Sequence, residues 1–267
     1  MELGKVSVYE SHYNPERLYA IPRKAQRDEL GLTENLPFVG HDLWNHYEVS
    51  WLDARGKPHV ATAQIVYPCD SEFIIESKSM KLYFNSLNNS RFANTDLLQK
   101  TIEDDLSSRL RANASVSIQP LQSHAHRIIS PLEGICVDEN EIDVEGFALN
   151  PDYLEVETDS AVEETLYSNL LKSNCLVTGQ PDWGSVWVKY KGNKISREGL
   201  LRYVISFREH HEFHEHCVER IFIDIMRRCS PTSLTVGARY TRRGGLDINP
   251  VRSTKSPEIT NPRLIRQ

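Results

Sequence analysis

Cys175 and Asp182 lie in the stretch SNCLVTGQPDWGSVW, which turns through Gly179 and Pro181. A thiol beside a turn can be reached by a ligand, and as a thiolate it adds to electron-poor carbon when a neighbour manages the proton. An aspartate carried back toward it by the turn is such a neighbour. The same residues also fit a plain tight turn in which Asp182 accepts from backbone amides, and spacing alone leaves both readings open.

A second candidate is FREHHEFHEHC, with His210, His211, His214 and His216 among Glu209, Glu212 and Glu215. Two zinc-binding imidazoles share a helix face in HExxH, but here Glu215 stands where the second histidine after His211 would be. His210 and His214 are four apart, so with a distant third ligand they could serve a zinc-dependent pterin or GTP-type hydrolase. Phe213, Cys217, Ile221 and Ile225 step by four and read as the buried edge of a helix, with Phe213 also a candidate stacking surface. His214 and Glu215 then stand at the helix start beside the core. One carboxylate there can accept two adjacent N–H donors of a guanine-like base, or it can serve only the helix N-terminus.

Two further stretches carry charge beside turns. IIESKSMKLYFNS sets Glu76, Lys78 and Lys81 among hydroxyls directly after a strand, as a solvated surface or as a site. RYTRRGGLDINP joins Arg239, Arg242 and Arg243 to Gly244-Gly245, a hairpin turn or a phosphate cradle of backbone and guanidinium.

The elements that must position these groups follow from pattern. HYEVSWLDARGKPHVATAQIVYP reads as two alternating strands joined at Ala54–Lys57. Leu98, Ile102, Leu106 and Leu110 predict a helix capped by Thr95 or Asp96, and ASVSIQPL predicts a strand. An acidic, irregular passage between Pro131 and Leu154 separates the halves. Strands at CLVTG and SVWVKYKG, a helix from Glu198, a longer helix through HEFHEHCVERIFIDIMRRC and a strand at SLTVGARY follow. Both halves thus read as ββααββ, an α+β protein with antiparallel sheets and helices on one face. Regular structure is expected from about Trp44, with an N-terminal arm over 1–40 and modules over 41–145 and 146–267.

Composition limits the function. With 267 residues, 39% hydrophobic and 25% charged, the chain is an ordinary globular one. A formal net charge of −6 argues against direct binding to a nucleic-acid backbone. No apolar run reaches membrane-span length and no leader is evident, which predicts a cytoplasmic protein. The five cysteines include no CxxC pair, and Cys69, Cys136 and Cys229 read as packing residues. No GxGxxG follows a strand, so a nicotinamide cofactor would bind without a Rossmann fingerprint.

Taken together, ESKSMKLYFNS, SNCLVTGQPDWG, SFREHHEFHEHCVERIF and YTRRGGLDINP resemble, in content and order, the QueF family of NADPH-dependent 7-cyano-7-deazaguanine reductases in its long, two-module form. The resemblance runs from about Leu36 to the C-terminus. It implies a tunnelling fold (T-fold), with the ββααββ module present twice and a homodimer completing it. It implies reduction of a nitrile to a primary amine with two NADPH, through a thioimide, in the queuosine pathway of tRNA modification. Cys175 is then the nucleophile and Asp182 the proton donor. Ile75, Glu76, Ser77, His214 and Glu215 are then substrate-binding, Ser77, Lys78, Arg243 and Gly244 cofactor-binding, and no metal is needed. The site would lie between modules or subunits. A non-catalytic purine-binding module is a further alternative; it would bind without forming an adduct.

Overall fold

The computed structural model describes residues 9–33, 35–123 and 129–267. In chain order its strands and α-helices are β1 (Ala20–Pro22), α1 (Lys24–Glu29), β2 (Val39–Leu52), β3 (Pro58–Pro68), β4 (Phe73–Ile75), α2 (Ser77–Ser86), α3 (Thr95–Leu110), β5 (Ser115–Pro120), β6 (Ile135–Cys136), β7 (Val156–Ser168), β8 (Lys172–Asn174), β9 (Pro181–Ile195), α4 (Arg197–Ile205), α5 (His214–Cys229), β10 (Ser233–Tyr240) and β11 (Leu246–Ser253). This is an α+β architecture. The β1–β4, β3–β5, β7–β9, β8–β9, β9–β10 and β10–β11 pairs are antiparallel, and the two-residue β6 runs parallel to β7. The chain forms two compact units, the first from Met1–Asp28, Asp42–Ile128 and Arg242–Ile248, the second from Glu29–His41, Ile129–Thr241 and Asn249–Gln267.

In the first unit the alternating residues of β2 and β3 make a hairpin. Its turn closes because the Asp53 carboxylate accepts from Arg55 N at 2.8 Å and Lys57 N at 3.0 Å, while Gly56 takes φ +84°. β5 adds to β3, with Ile65 opposite Val116 and Ala63 opposite Ile118. α3 presents Leu98, Ile102, Leu106 and Leu110 to a core that holds Trp44, Trp51, Met80 and Phe84. Its N-cap is Asn94, whose Oδ1 accepts from Leu97 N at 2.8 Å, one residue before the earliest cap expected.

In the second unit β9 is the hub. β10 pairs one edge, from Ser233 opposite Lys191 to Tyr240 opposite Gly184; β7 pairs the other, and β8 extends the hairpin at its start. α5 buries Cys217, Val218, Ile221, Phe222 and Ile225, and its Glu219 meets Arg252 of β11 at 2.9 Å with both side chains fully buried. Removing either partner would strand a charge inside the unit.

Four expectations need correction. Regular structure begins well before Trp44, because β1 pairs β4 through Ala20 and Ile75 and α1 follows it. CLVTG is no strand: β8 ends at Asn174, and the branched apolar residues after it form the hairpin loop, with Leu176 and Val177 exposed. β7 was not expected as a strand, and β11 was implied only as the unplaced last strand of ββααββ beyond the Gly244-Gly245 turn. The long helix starts at His214 rather than His211, because Glu212 is drawn aside by Arg220 and Phe213 takes the extended cap conformation.

Candidate active site

The β8–β9 hairpin carries the thiol and the acid. Ser173 lies opposite Asp182, and beyond that pair Cys175 N donates to Gln180 O at 2.8 Å while Gly179 N donates to Cys175 O at 3.0 Å. Gly179 takes φ +67°, which closes the loop at a position that favours glycine. Side chains alternate along a strand, so Cys175, Ser173 and Asp182 share one face of the hairpin. Diagonal neighbours of this kind have Cα atoms about 7–8 Å apart. Cys175 is 6% exposed, and Asp182 is equally buried. Both stand where a small planar ligand has to displace little water.

α5 begins against the same aspartate. His214 Nε2 lies 3.6 Å from Asp182 Oδ1, an ion-pair separation when the imidazole is protonated. Its ring stands edge-on to Tyr240, with centroids 4.2 Å apart. Glu215, the second residue of α5, is 2% exposed, so its carboxylate faces the positive end of the helix dipole from inside the unit. The thiol of Cys217, one turn along, is fully buried, and burial pushes it well above the usual range, with Glu212 adding to the effect.

The segment before α5 pairs with the hairpin through its backbone, Asn174 N donating to His210 O at 2.8 Å and Glu212 N to Asn174 O at 3.0 Å, which sets His210 and His211 beside the Cys175 loop. His210 pairs with Glu212 at 3.0 Å, and Glu212 takes both arms of Arg220 at 3.0 and 2.8 Å. Burial raises the Glu212 carboxyl, but His210 and Arg220 outweigh it and hold the carboxyl below its usual range. His210 precedes α5 while His214 opens it, so the two are not one turn apart on a common helix. Among the described residues no group of three or more His, Cys, Asp or Glu side chains could hold a metal ion. Phe213 is half-buried at the helix cap, outside the fully buried stripe that begins at Cys217.

The first unit carries the other candidates. Ile75 ends β4, held by Ala20 of β1, and Glu76 follows as the N-cap of α2. Glu76 is 1% exposed, and its Oε2 accepts from Ser79 N at 3.2 Å. Glu76 N donates to Tyr19 O at 3.0 Å, and Tyr19 N donates to Ser79 Oγ at 3.0 Å. Ser77 and Lys78, half-buried, begin α2.

One turn later Lys81 reaches Gly244. Gly244 and Gly245, at φ +59° and +77°, are the central residues of a two-residue hairpin closed by Arg243 N donating to Leu246 O at 2.8 Å. A Cβ at Gly244 would lie 2.9 Å from Lys81 Nζ, so only glycine lets the ammonium come that close to the backbone. Lys81 beside the exposed Gly244, with Arg243 in the same turn, offers cationic charge and backbone to an anionic group such as a phosphate. Lys81 lay in a stretch singled out for chemistry, but the packing that gives it a part depends on a turn more than 150 residues away. His46 and Tyr240 were missed; each sits inside a strand and reads as core.

Comparisons with known proteins give the family. The family model described as "Nitrile reductase, 7-cyano-7-deazaguanine-reductase N-term" matches residues 9–118, and that described as "QueF-like protein" matches residues 181–259. The NADPH-dependent 7-cyano-7-deazaguanine reductase of Legionella pneumophila (strain Lens) is 56% identical over 100% of this chain and 94% of its own length. That of Ralstonia nicotianae is 52% identical over 99% and 97%, and that of Dechloromonas aromatica 54% identical over 99% and 94%. The apo crystal structure of the archaeosine synthase QueF-Like aligns with 38% of this chain at 19% identity and a TM-score of 0.32, which carries no argument about the fold.

Proposed function

The chain belongs to the QueF family of 7-cyano-7-deazaguanine reductases, and from that premise we propose that it reduces the nitrile of 7-cyano-7-deazaguanine to the aminomethyl group at the expense of two NADPH. The product is 7-aminomethyl-7-deazaguanine, the precursor used in queuosine modification of tRNA. The observation that carries the reading is the Cys175–Asp182 face of the β8–β9 hairpin with His214 3.6 Å from the acid.

The nitrile carbon is a poor hydride acceptor until its triple bond is opened. Sulfur of Cys175 bonds to that carbon, one C–N π bond breaks, and Asp182 delivers a proton to nitrogen, leaving a thioimide. NADPH, when bound, supplies the hydrides, one in each of two successive bindings. Between them the C–S bond breaks and Cys175 is restored. Nitrogen finishes with two protons, and Asp182 with His214 is suited to hand over both. Ile75, Glu76, Ser77, His214 and Glu215 hold the base, the two carboxylates accepting from the N–H donors of its pyrimidine edge. Ser77, Lys78, Arg243 and Gly244 hold the cofactor.

In the same reading the chain holds tandem T-fold modules over 41–145 and 146–267, with 1–40 as an arm. The element order β7, β9, α4, α5, β10, β11 supports this for the second. The protein acts as a cytoplasmic homodimer, for which the exposed Leu176, Val177 and Trp183 offer apolar surface. No helix among the described residues is long and apolar enough to cross a membrane.

Intact mass after mixing with 7-cyano-7-deazaguanine alone tests the proposal. A gain equal to the nitrile compound is expected for the native chain and none for Cys175→Ala. A native chain without adduct that turns over nucleotide only with zinc would favour the hydrolase instead.

A further inference from the structure

His46 sits inside β2, 2% exposed, and bonds the turn that the proposed function gives to the cofactor. Its Nδ1 lies 2.9 Å from Gly245 O, and a carbonyl can only accept, so the proton of the neutral ring is on Nδ1. Burial, and then the charge of Lys81, hold the ring neutral, down to a pKa of about 4. The same carbonyl takes Tyr47 N at 2.9 Å, filling both of its lone pairs. The residues on either side of His46 grip the strand just after the turn: Asn45 Nδ2 and Tyr47 Oη donate to the two oxygens of Asp247, each at 2.7 Å. Arg242, just before the turn, lies 4.6 Å over the Tyr47 ring. Glu48 closes the back of the turn, where a Cβ on Gly245 would come within 2.7 Å of its carboxylate oxygen.

We infer that Asn45–His46–Tyr47 is a positioning clamp for NADPH: His46, as a neutral Nδ1–H donor, fixes Gly245 so that Gly244 and Arg243 stay set for the cofactor's phosphates. His46 touches no reacting atom. The clamp rests on the reading of Arg243 and Gly244 as cofactor residues. It predicts a defect confined to NADPH, because addition of Cys175 to the nitrile takes place without the cofactor.

The test compares His46→Phe, which keeps the ring contact with Phe84 but has no donor, with His46→Asn, whose amide can donate to Gly245. The expected result for His46→Phe is an NADPH KM raised about tenfold with kcat lowered less than threefold and the rate of adduct formation unchanged, and for His46→Asn recovery of most of the KM. An unchanged KM in His46→Phe, or a KM that Asn does not recover, overturns the clamp. If His46→Phe does not fold, nitrogen-15 spectra of the native imidazole decide: a neutral Nδ1–H ring whose resonances move on titration with NADP⁺ supports the clamp, and a ring indifferent to it does not. Loss of adduct formation in the native chain would instead remove the underlying functional reading, so the two failures are distinguishable.

Discussion

Each unit opens a helix on a buried glutamate, and the two differ in what stands beside it. In the first unit Glu76 caps α2, and the next turn of that helix presents Lys81 to the glycine turn at Gly244. In the second Glu215 opens α5, and its neighbour His214 reaches Asp182 on the hairpin that holds Cys175. The helix N-terminus is the shared device: its free N–H groups and positive end favour a carboxylate placed there. In the proposed function the chemistry comes from the second layer, cations in one unit and a thiol with an acid in the other. Two similar helix starts therefore do not require the same chemistry.

The sharpest way to break this division of labour is through its acid. Asp182→Asn keeps the shape of the hairpin face and removes the proton, so adduct formation and turnover should fall on the order of 10²–10⁴-fold while NADP⁺ affinity stays the same. Calorimetric titration with NADP⁺ beside stopped-flow adduct kinetics measures both, and a matching loss of NADP⁺ binding would mean that the units do not divide the work.

A smaller effect sharpens the comparison of the glutamates. Charge-assisted hydrogen bonds are worth about 1.5–3 kcal/mol, so Glu76→Gln and Glu215→Gln should each weaken binding of 7-cyano-7-deazaguanine about 10–100-fold in Cys175→Ala protein, where no adduct forms. Only Glu76→Gln should also lower the melting temperature, since glutamine replaces the carboxylate that caps α2. If only one of the two weakens binding, the shared device is a coincidence of packing.

The smallest effect is a pH dependence of stability in the first unit. His46 is depressed from 6.5 to about 4 in the folded chain, first by burial, so between those values the unfolded chain binds the extra proton. The stability tied to a neutral His46 is therefore complete above about pH 6.5 and is lost as pH falls toward 4. Urea unfolding free energies at pH 7 and pH 5 should differ less in His46→Asn than in the native chain, by about 2 kcal/mol; equal differences would count against a buried neutral ring.

What could be read ahead of the structure was whatever local pattern decides. α3 follows from four leucine or isoleucine positions at helical spacing, and the β2–β3 turn from Asp53 and Gly56. β7 was invisible because VETDSAVEETLYS carries Glu157, Asp159, Glu163 and Glu164 and buries only Leu166 and Ser168, so only its pairing with β9 makes it a strand. β11 hid for the opposite reason. LDINPVRS is buried throughout, yet it is polar and contains Pro250, which normally argues against an inner strand. Its polar groups are satisfied by partners remote in sequence, Asp247 by Asn45 and Tyr47, Arg252 by Glu219, and Asn249 by Gln267 at 2.6 Å. CLVTG misled because its composition suits a strand while Gly179 and the Cys175–Gln180 bond fold it into a loop. Cys175 and Asp182 were legible as residues, but their shared face is a property of register. Roles for Glu76 and Gly244 came from family likeness, because glutamates before helices and glycine pairs in hairpins are common without chemistry.

The interleaving of the units has a consequence for synthesis. The first unit takes its last segment from Arg242–Ile248, and the second takes Glu29–His41 from near the start. A ribosome delivers the chain from the N-terminus at roughly 5–20 residues per second, so Asn45, His46 and Tyr47 wait on the order of ten seconds or more for the turn they bind. Neither unit can be finished and set aside while the other is made. A nascent chain paused before Arg242 would hold a first unit whose Trp44 and Phe84 core lacks Leu246 and Ile248, the state in which chaperone capture and proteolysis have their opportunity.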